Sequence, residues 1–290
     1  MSYLELETAI ISMHCEDEKG IISAVTDFIL TNNGNIVELD QHVDVDSNRF
    51  YMRIEWEIDG FGIERNKIGE YFETLVVKKY KDVHWNVNFN HQKPKMALFV
   101  SHYGHCLYDI LGRVDTGEWN VDIACIISNH REFEPLVSKF GIPFYYFEMK
   151  GADKETIEAA QIKLLQEHQV DLIVLARYMQ ILSSNFVSHF TNRIINIHHS
   201  SLPAFPGANP YKNAFMRGVK FMGATAHYVT SDLDEGPIIA QDVIPISHRH
   251  SLDDLKRRGR DIEKIVLANA VYAHLSRRVL TFGNKTVVFD

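Results

Sequence analysis

The sequence predicts an α/β protein made of a small ferredoxin-like N-terminal domain and a larger Rossmann-like domain, whose mostly parallel sheet has helices on both faces. Three observations support this prediction. The first third of the chain orders its elements as βαββαβ, the split βαβ motif. From residue 96 onward, short apolar runs alternate with segments of helical spacing, as in parallel sheets covered on both sides. The length of 290 residues also favours two domains over one.

The elements of the N-terminal domain follow from the spacing of apolar residues. Residues three and four apart predict helices, and strict alternation predicts half-buried strands. In residues 49–58 apolar side chains alternate with polar ones, so we expect an antiparallel strand with one face in water. In chain order the predicted elements are the strand Thr8–His14, the helix Gly20–Leu30, the strands Asn35–Val45 and Arg49–Ile58, the helix Ile63–Tyr80 and the strand Val83–Phe89.

A polar segment that ends in Pro94 separates the two parts. We therefore predict domains at residues 1–89 and 96–290, joined by a linker at residues 90–95. Strands of the second domain are predicted at Met96–Ser101, Val121–Ser128, Asp171–Ala176 and Ile194–His198, with helices at Tyr103–Val114, Arg131–Phe140 and Asp153–His168. Gly223–Thr230 and Ile238–Pro245 predict an antiparallel edge, and Ser251–Leu280 a final helix with a break at Gly259.

Charge and composition exclude several classes of protein. The net charge of −8 lies within residues 1–93, which carry 17 acidic and 9 basic residues, so a nucleic-acid-binding protein is not expected. No apolar run approaches the roughly 20 residues that a membrane span needs, and the N-terminus does not resemble a secretory signal. Cys15, Cys106 and Cys125 are widely spaced, which predicts reduced thiols and a cytoplasmic protein.

Polar residues at the end of one buried strand are the first candidates for chemistry. Asn196 and His198 share a face of the strand 194–198, because side chains alternate, and His199 points to the other face. An amide that stabilises an oxyanion and an imidazole that moves a proton suit a reaction through a tetrahedral intermediate. The loop 230–237 offers Asp232, Asp234 and Glu235 to orient the histidine. The alternatives are a structural histidine and a solvated acidic turn.

Other chemistries have weaker signals. The 15 histidines leave a metal site open, but no H-E-x-x-H motif or cysteine pair occurs. Cys106 near a predicted helix start is either a nucleophile or a small buried apolar residue. Ser200 and Ser201 lack the G-x-S-x-G context of a hydrolase elbow, and the turn after residue 100 is neither G-x-G-x-x-G nor a P-loop.

Three separated segments resemble the signature of the folate-dependent formyltransferase family. They are Asn196-Ile-His198, Ser201-Leu-Pro-Ala-Phe-Pro-Gly207 and Asp232-Leu-Asp234-Glu-Gly-Pro237. The resemblance covers residues 94–290, and Asp171–Ser183 is similar to the strand and folate-pocket loop of that family. The N-terminal segment resembles an ACT domain, the turn 101–107 looks like that of the formyltetrahydrofolate deformylases, and the glycine-rich phosphate-binding turn of the transformylases is missing.

The resemblance implies hydrolysis of 10-formyltetrahydrofolate to tetrahydrofolate and formate, with Asn196, His198 and Asp234 as catalytic residues and no metal or other cofactor. The residues implied in substrate binding are Arg177, Tyr178, Met179, Ile181, Leu182, Asp232 and Leu233. Two alternatives stay open: formyl transfer to an amine acceptor, and a non-catalytic sensor of folate or an amino acid.

The ACT-like segment implies control by a small amino acid such as glycine or methionine. Its turn from Cys15 to Ile21 resembles the family's Asp-x-x-Gly-Ile turn, with Lys19 where proline is common. The alternative is that this segment serves only in oligomerisation, and a homodimer or homotetramer is expected.

Overall fold

The computed structural model describes residues 6–203 and 210–290. The chain divides into two compact units. The first comprises the described residues up to Lys93 together with residues 276–280 and 287–290. The second comprises residues 94–275, apart from the gap at 204–209, and residues 281–286. The boundary at residue 93 falls inside the predicted linker. The C-terminal segments of the first unit lie in the part of the chain that the sequence analysis assigned to the second domain.

The first unit has the predicted βαββαβ order. Its elements are β1 (Thr8–Glu16), α1 (Ile21–Thr31), β2 (Ile36–Asp44), β3 (Arg49–Glu57), α2 (Ile68–Leu75) and β4 (His84–Phe89). The four strands form an antiparallel sheet in the order β2-β3-β1-β4. The predicted helix Ile63–Tyr80 is too long, because α2 is flanked by short 3₁₀ turns at Arg65–Lys67 and Val77–Lys79.

The core of the first unit lies between this sheet and its two helices. The apolar stripe of α1 packs with Phe72 of α2 and with Trp56 of β3, both of which are fully buried. The prediction that β3 has one face in water is wrong. Tyr51 and Arg53 on its other face are 2% and 3% exposed, because Tyr51 packs against Leu280 and Phe289 of the C-terminal segments.

The second unit is an α/β sheet of seven strands in the order β11-β10-β9-β8-β5-β6-β7. Its strands are β5 (Lys95–Val100), β6 (Asp122–Ser128), β7 (Phe144–Tyr146), β8 (Leu172–Leu175), β9 (Ile194–His198), β10 (Phe221–Tyr228) and β11 (Ile238–Pro245). Neighbouring strands from β7 to β9 are parallel, and β10 and β11 form the predicted antiparallel edge. The predicted Rossmann-like class is confirmed.

Helices cover the sheet of the second unit. They are α3 (His105–Asp115), α4 (Glu134–Val137), α5 (Lys154–Glu167), α6 (Ser184–His189), α7 (Pro210–Arg217) and α8 (Leu252–Leu275). A two-stranded hairpin of β12 (Val279–Phe282) and β13 (Lys285–Val288) ends the chain. Among these described residues, no helix combines the length and apolar character that crossing a bilayer requires.

Several predicted bounds in this unit are wrong. β7, α6 and α7 were not predicted, because they are too short to establish a period. In place of the helix predicted at Arg131–Phe140, the structure has the short helix α4 followed by a 3₁₀ turn. The final helix runs through Gly259 without a break and ends at Leu275, not at Leu280. Gly259 serves close packing instead, since a Cβ there would collide with the ring of Tyr211.

The strand order reverses between β5 and β8. The chain proceeds from β5 to β6 and β7 on one side, and returns to β8 and β9 on the other. In open α/β sheets, ligands bind in the crevice at the carboxyl ends of the strands beside such a switch point. The segments after β5, β8 and β9 are therefore the places to look for a functional site.

Candidate active site

The register between β9 and β10 brings together the first polar residues of the site. Asn196 pairs directly with His227, and His198 pairs directly with Thr225. Directly opposed residues of neighbouring strands share a face of the sheet. The structure therefore places Asn196 and His198 on one face, as the alternation predicted, and adds His227 to them.

Asp234 reaches these residues from the loop after β10. Its Oδ2 lies 3.1 Å from Nδ1 of His198. The loop turns tightly at this point. Asp234 has a left-handed backbone with φ of 59°, and Gly236 lies so close to the carbonyl oxygen of Tyr228 that a Cβ there would collide with it. The hydrogen bond from His198 holds the pKa of Asp234 well below its usual range, so the carboxylate is charged.

The charged carboxylate fixes which nitrogen of His198 meets a ligand. Because a carboxylate only accepts hydrogen bonds, Nδ1 of His198 carries a proton and donates it to Asp234. Nε2 of His198 is buried and has no hydrogen-bond partner among residues 6–203 and 210–290. A buried polar atom without a partner in a crevice is available to a reacting group.

His227 belongs to the site although the sequence pattern did not predict it. Its Nδ1 donates to the carbonyl oxygen of Tyr228 at 3.0 Å, and its Nε2 lies 3.3 Å from Nδ2 of Asn196 and 3.6 Å from Oδ1 of Asp234. One amide hydrogen of Asn196 is thus directed to His227, which leaves the other for an oxyanion. In the sequence, His227 is recognisable only as a histidine within an apolar strand. Its place beside Asn196 follows only from the register of β10 with β9.

The two segments predicted to bind a folate flank this cluster. Met179, Ile181 and Leu233 expose 52%, 62% and 60% of their surface, so both segments present apolar area to a ligand. The backbone N–H of Met179 donates to the hydroxyl of Ser101, which ties the segment after β8 to the end of β5. Asp232 is exposed, and its carbonyl oxygen accepts a hydrogen bond from Thr230.

One of the predicted substrate-binding side chains belongs to the core. Tyr178 is buried edge-on against Phe99, and the partly buried Leu182 packs against the same cluster. Tyr178 can therefore line a pocket only through its backbone. Of the predicted Ser201–Gly207 segment, residues 204–207 lie outside the described residues.

Arg177 takes part in a second buried cluster at the same edge of the sheet. Its Nε lies 3.4 Å from Oε2 of Glu263, and its guanidinium lies over the ring of Tyr103, 5.2 Å from the ring centre. Glu263 of α8 also accepts hydrogen bonds from Nε2 of His105, at 2.7 Å, and from the hydroxyl of Tyr211. Although burial opposes it, His105 and Arg177 lower the pKa of Glu263, so the cluster holds a charged pair.

The same cluster determines whether Cys106 can act as a nucleophile. Burial, followed by the charge of Glu263, raises the pKa of its thiol well above the ordinary value, so Cys106 is not an activated nucleophile. Ligand atoms of His105, Cys106 and Glu263 lie within 4.8 Å of one another, as in metal sites. In this group, however, Arg177 already supplies the cation beside the Glu263 carboxylate.

Comparisons with known proteins show the family of the chain. A family model described as "Formyl transferase" matches residues 94–271. A formyltetrahydrofolate deformylase from Synechocystis sp. is 48% identical over 97% of this chain and 98% of its own length. A solved deformylase structure from Pseudomonas syringae pv. tomato has a TM-score of 0.96 and 42% identity, and covers 100% of this chain and 96% of its own. The chain belongs to the formyltetrahydrofolate deformylase family.

Solved transformylase structures match a smaller share of this deformylase-family chain. A glycinamide ribonucleotide transformylase 1 from Symbiobacterium toebii has a TM-score of 0.66 and 31% identity, and covers 71% of this chain and 98% of its own. The resemblance found in the sequence is thereby confirmed at the level of the family. The roles of individual residues stay predictions.

Proposed function

We propose that the protein hydrolyses 10-formyltetrahydrofolate to tetrahydrofolate and formate. The observation that carries the proposal is the contact of 3.1 Å between His198 Nδ1 and the Asp234 carboxylate, with the buried Nε2 of His198 left for a reacting group. The names of the deformylase relatives supply the substrate.

The proposed reaction starts with attack of water on the formyl carbon. One amide hydrogen of Asn196 and the protonated imidazole of His198 stabilise the oxyanion of the tetrahedral intermediate. The Asp234 carboxylate takes the proton that water releases. Collapse of the intermediate breaks the bond from carbon to N10, and N10 receives a proton from His198, directly or through water. Formic acid leaves and ionises, so the protons balance without a metal or redox cofactor.

Substrate binding is assigned to the loops on either side of this site. The exposed apolar side chains of Met179, Ile181 and Leu233 suit the flat ring of a pterin. Backbone groups of Arg177, Tyr178 and Asp232 and the partly buried Leu182 complete the proposed pocket, since the side chain of Tyr178 faces the core.

The test is release of formate from 10-formyltetrahydrofolate without an acceptor, for the wild type, His198→Ala and a matched control. His189→Ala is the control, because His189 is an exposed histidine of α6. We expect release from the wild type and the control, and none from His198→Ala. A folded wild type that releases formate only when an amine is added would be a transferase. One that binds folate without turnover would be a sensor.

We also propose that the first unit is an ACT-like regulatory module in a cytoplasmic homodimer or homotetramer. A cavity of about 340 Å³ lies against the predicted turn and is lined by residues that include Asp17, Gly20, Gln41 and Phe50. Asp17 suits the ammonium group of a small amino acid such as glycine or methionine.

Titration calorimetry with both amino acids tests the effector. Absence of heat with both favours a module for oligomerisation, and sedimentation measures the assembly.

A further inference from the structure

The side chains of the candidate active site lie on two faces of the sheet, and the register of β9 and β10 shows which residues lie on which face. Asn196, His198 and His227 share one face of the β9–β10 pair, and Tyr228 points to the opposite face. The hydroxyl of Tyr228 lies 2.7 Å from Nδ1 of His274 in α8, so α8 covers that opposite face. The reacting groups therefore lie on one face of the sheet, and Glu263 of α8 belongs to the other.

The two sides meet at the carboxyl end of β9. The ring of His199 lies 5.2 Å from that of His198 and 5.6 Å from that of Tyr211, whose hydroxyl donates to Glu263. Burial and then the charge of Arg177 lower the pKa of His199 to about 4, so this ring is neutral at pH 7. The cluster around Glu263 thus begins one residue away from His198.

The side chains of this cluster fill their side of the crevice. Glu263 is fully buried and Arg177 is 8% exposed, although both carry charge. The contributing elements are the end of β8, the turn before α3, α3 itself, α7 and α8, which converge beside the switch point. A site with this many inward-facing polar groups is typical of a bound ligand, yet here Glu263 accepts hydrogen bonds from His105 and Tyr211, and Arg177 Nε lies 3.4 Å from its carboxylate.

We propose that the Arg177–Glu263 cluster occupies the space from which an amine acceptor would reach the formyl carbon, and so restricts the enzyme to water. This inference rests on the proposed function. The loops 177–182 and 232–234 are assigned to the folate, so the α8 side is the remaining approach for a second substrate. Arg177 also neutralises Glu263, which removes the carboxylate that would attract a protonated amine.

The test is the partition of the formyl group between water and a small amine. The double variant Arg177→Gly/Glu263→Gln removes the guanidinium without leaving a buried charge unpaired. Glycine also suits the left-handed φ of 64° at position 177. With glycinamide present, the amine nitrogen bonds to the formyl carbon, the bond to N10 breaks, and the proton of the amine passes to N10. Mass spectrometry quantifies formylglycinamide, and a formate assay quantifies hydrolysis.

We expect the ratio of formylglycinamide to formate to rise at least about tenfold in the double variant, which is the scale of discrimination that pocket shape provides. The matched control is Asp109→Asn/Arg113→Gln, which removes an ion pair of 2.8 Å on α3 outside the cluster and should keep the wild-type ratio. A similar rise in the control would overturn the inference, since loosened packing would then explain the result.

Two further outcomes are decisive. If the folded double variant releases formate but forms no more formylglycinamide than the wild type, this inference is refuted and the proposed function is left intact. If the wild type releases no formate, both are refuted. If the double variant does not fold, Arg177→Asn/Glu263→Gln continues the test, because asparagine tolerates the left-handed φ at position 177 and is much shorter than arginine. A wild-type ratio in this second folded variant also overturns the inference.

Discussion

His198 and Asp234 lie on different segments of the second unit, and their side chains meet at 3.1 Å between Nδ1 and Oδ2. The loop that carries Asp234 is held in a left-handed turn beside the end of β10, so this contact depends on a backbone arrangement that few residues tolerate. In the proposed reaction the pair both fixes the imidazole and accepts the proton of water.

Replacing Asp234 by asparagine should therefore impair the chemistry more than binding. We expect Asp234→Asn to lower kcat by roughly 10²- to 10⁴-fold, the usual size of general acid–base effects, with little change in KM. Initial rates over a range of substrate concentrations measure both constants. Glu235→Gln is the control, because it neutralises an exposed neighbour in the same loop. An unchanged kcat in Asp234→Asn would remove this residue from the mechanism.

His227 should act through Asn196. We expect Asn196→Ala to lower kcat by about 10²- to 10³-fold, as loss of one oxyanion donor does. His227→Phe should lower kcat less, because it removes the contact of 3.3 Å that orients the amide but keeps Asn196 itself. In the Asn196→Ala background, most of the effect of His227→Phe should disappear. Fully additive effects in the double variant would show that His227 acts independently of Asn196.

Two helical glycines should respond to alanine with opposite signs. Gly259→Ala in α8 should destabilise the protein by about 1–3 kcal/mol, because its Cβ collides with the Tyr211 ring despite the better helix propensity of alanine. Gly112→Ala in α3 should stabilise it by about 0.5–1 kcal/mol, because among residues 6–203 and 210–290 no atom beyond its chain neighbours and the backbone of α3 lies within 4 Å of the added Cβ. Denaturant unfolding of both variants measures the difference. Equal effects would contradict the close packing of Gly259 with Tyr211.

The first unit should lose stability as the pH falls below the ordinary pKa of histidine. Burial and then the charge of Arg49 lower the pKa of His14 from 6.5 to about 4. Between these values the unfolded chain binds a proton that the folded one does not, so the free energy of unfolding decreases as the pH falls from 6.5 to 4. The slope from this one group is at most about 1.4 kcal/mol per pH unit.

His14→Gln should reduce this slope, because glutamine keeps an acceptor for Arg49 and does not titrate. Urea unfolding at several pH values between 4 and 7 measures the slope. The exposed His91→Gln variant serves as the control. Identical slopes in wild type and His14→Gln would assign the pH dependence to other groups.

Much of the fold follows from local patterns. The βαββαβ order, the alternation of strands and helices after residue 95 and the antiparallel edge are predicted because the spacing of apolar residues sets their elements. Elements of three to eight residues, such as β7, α6 and α7, escape this reasoning. The wet face predicted for β3 is wrong because Leu280 and Phe289, more than 200 residues later in the sequence, cover it.

The sequence by itself determined the fold class, the resemblance to a family, and the position of Asn196 and His198 on one face at the end of a buried strand. Tertiary structure alone decided that His227 joins them, that the side chain of Tyr178 belongs to the core, and that Arg177 turns to Glu263. The physical reason is that periodicity depends on neighbours along the chain. Strand register and the convergence of helices, by contrast, bring together side chains that no local pattern relates.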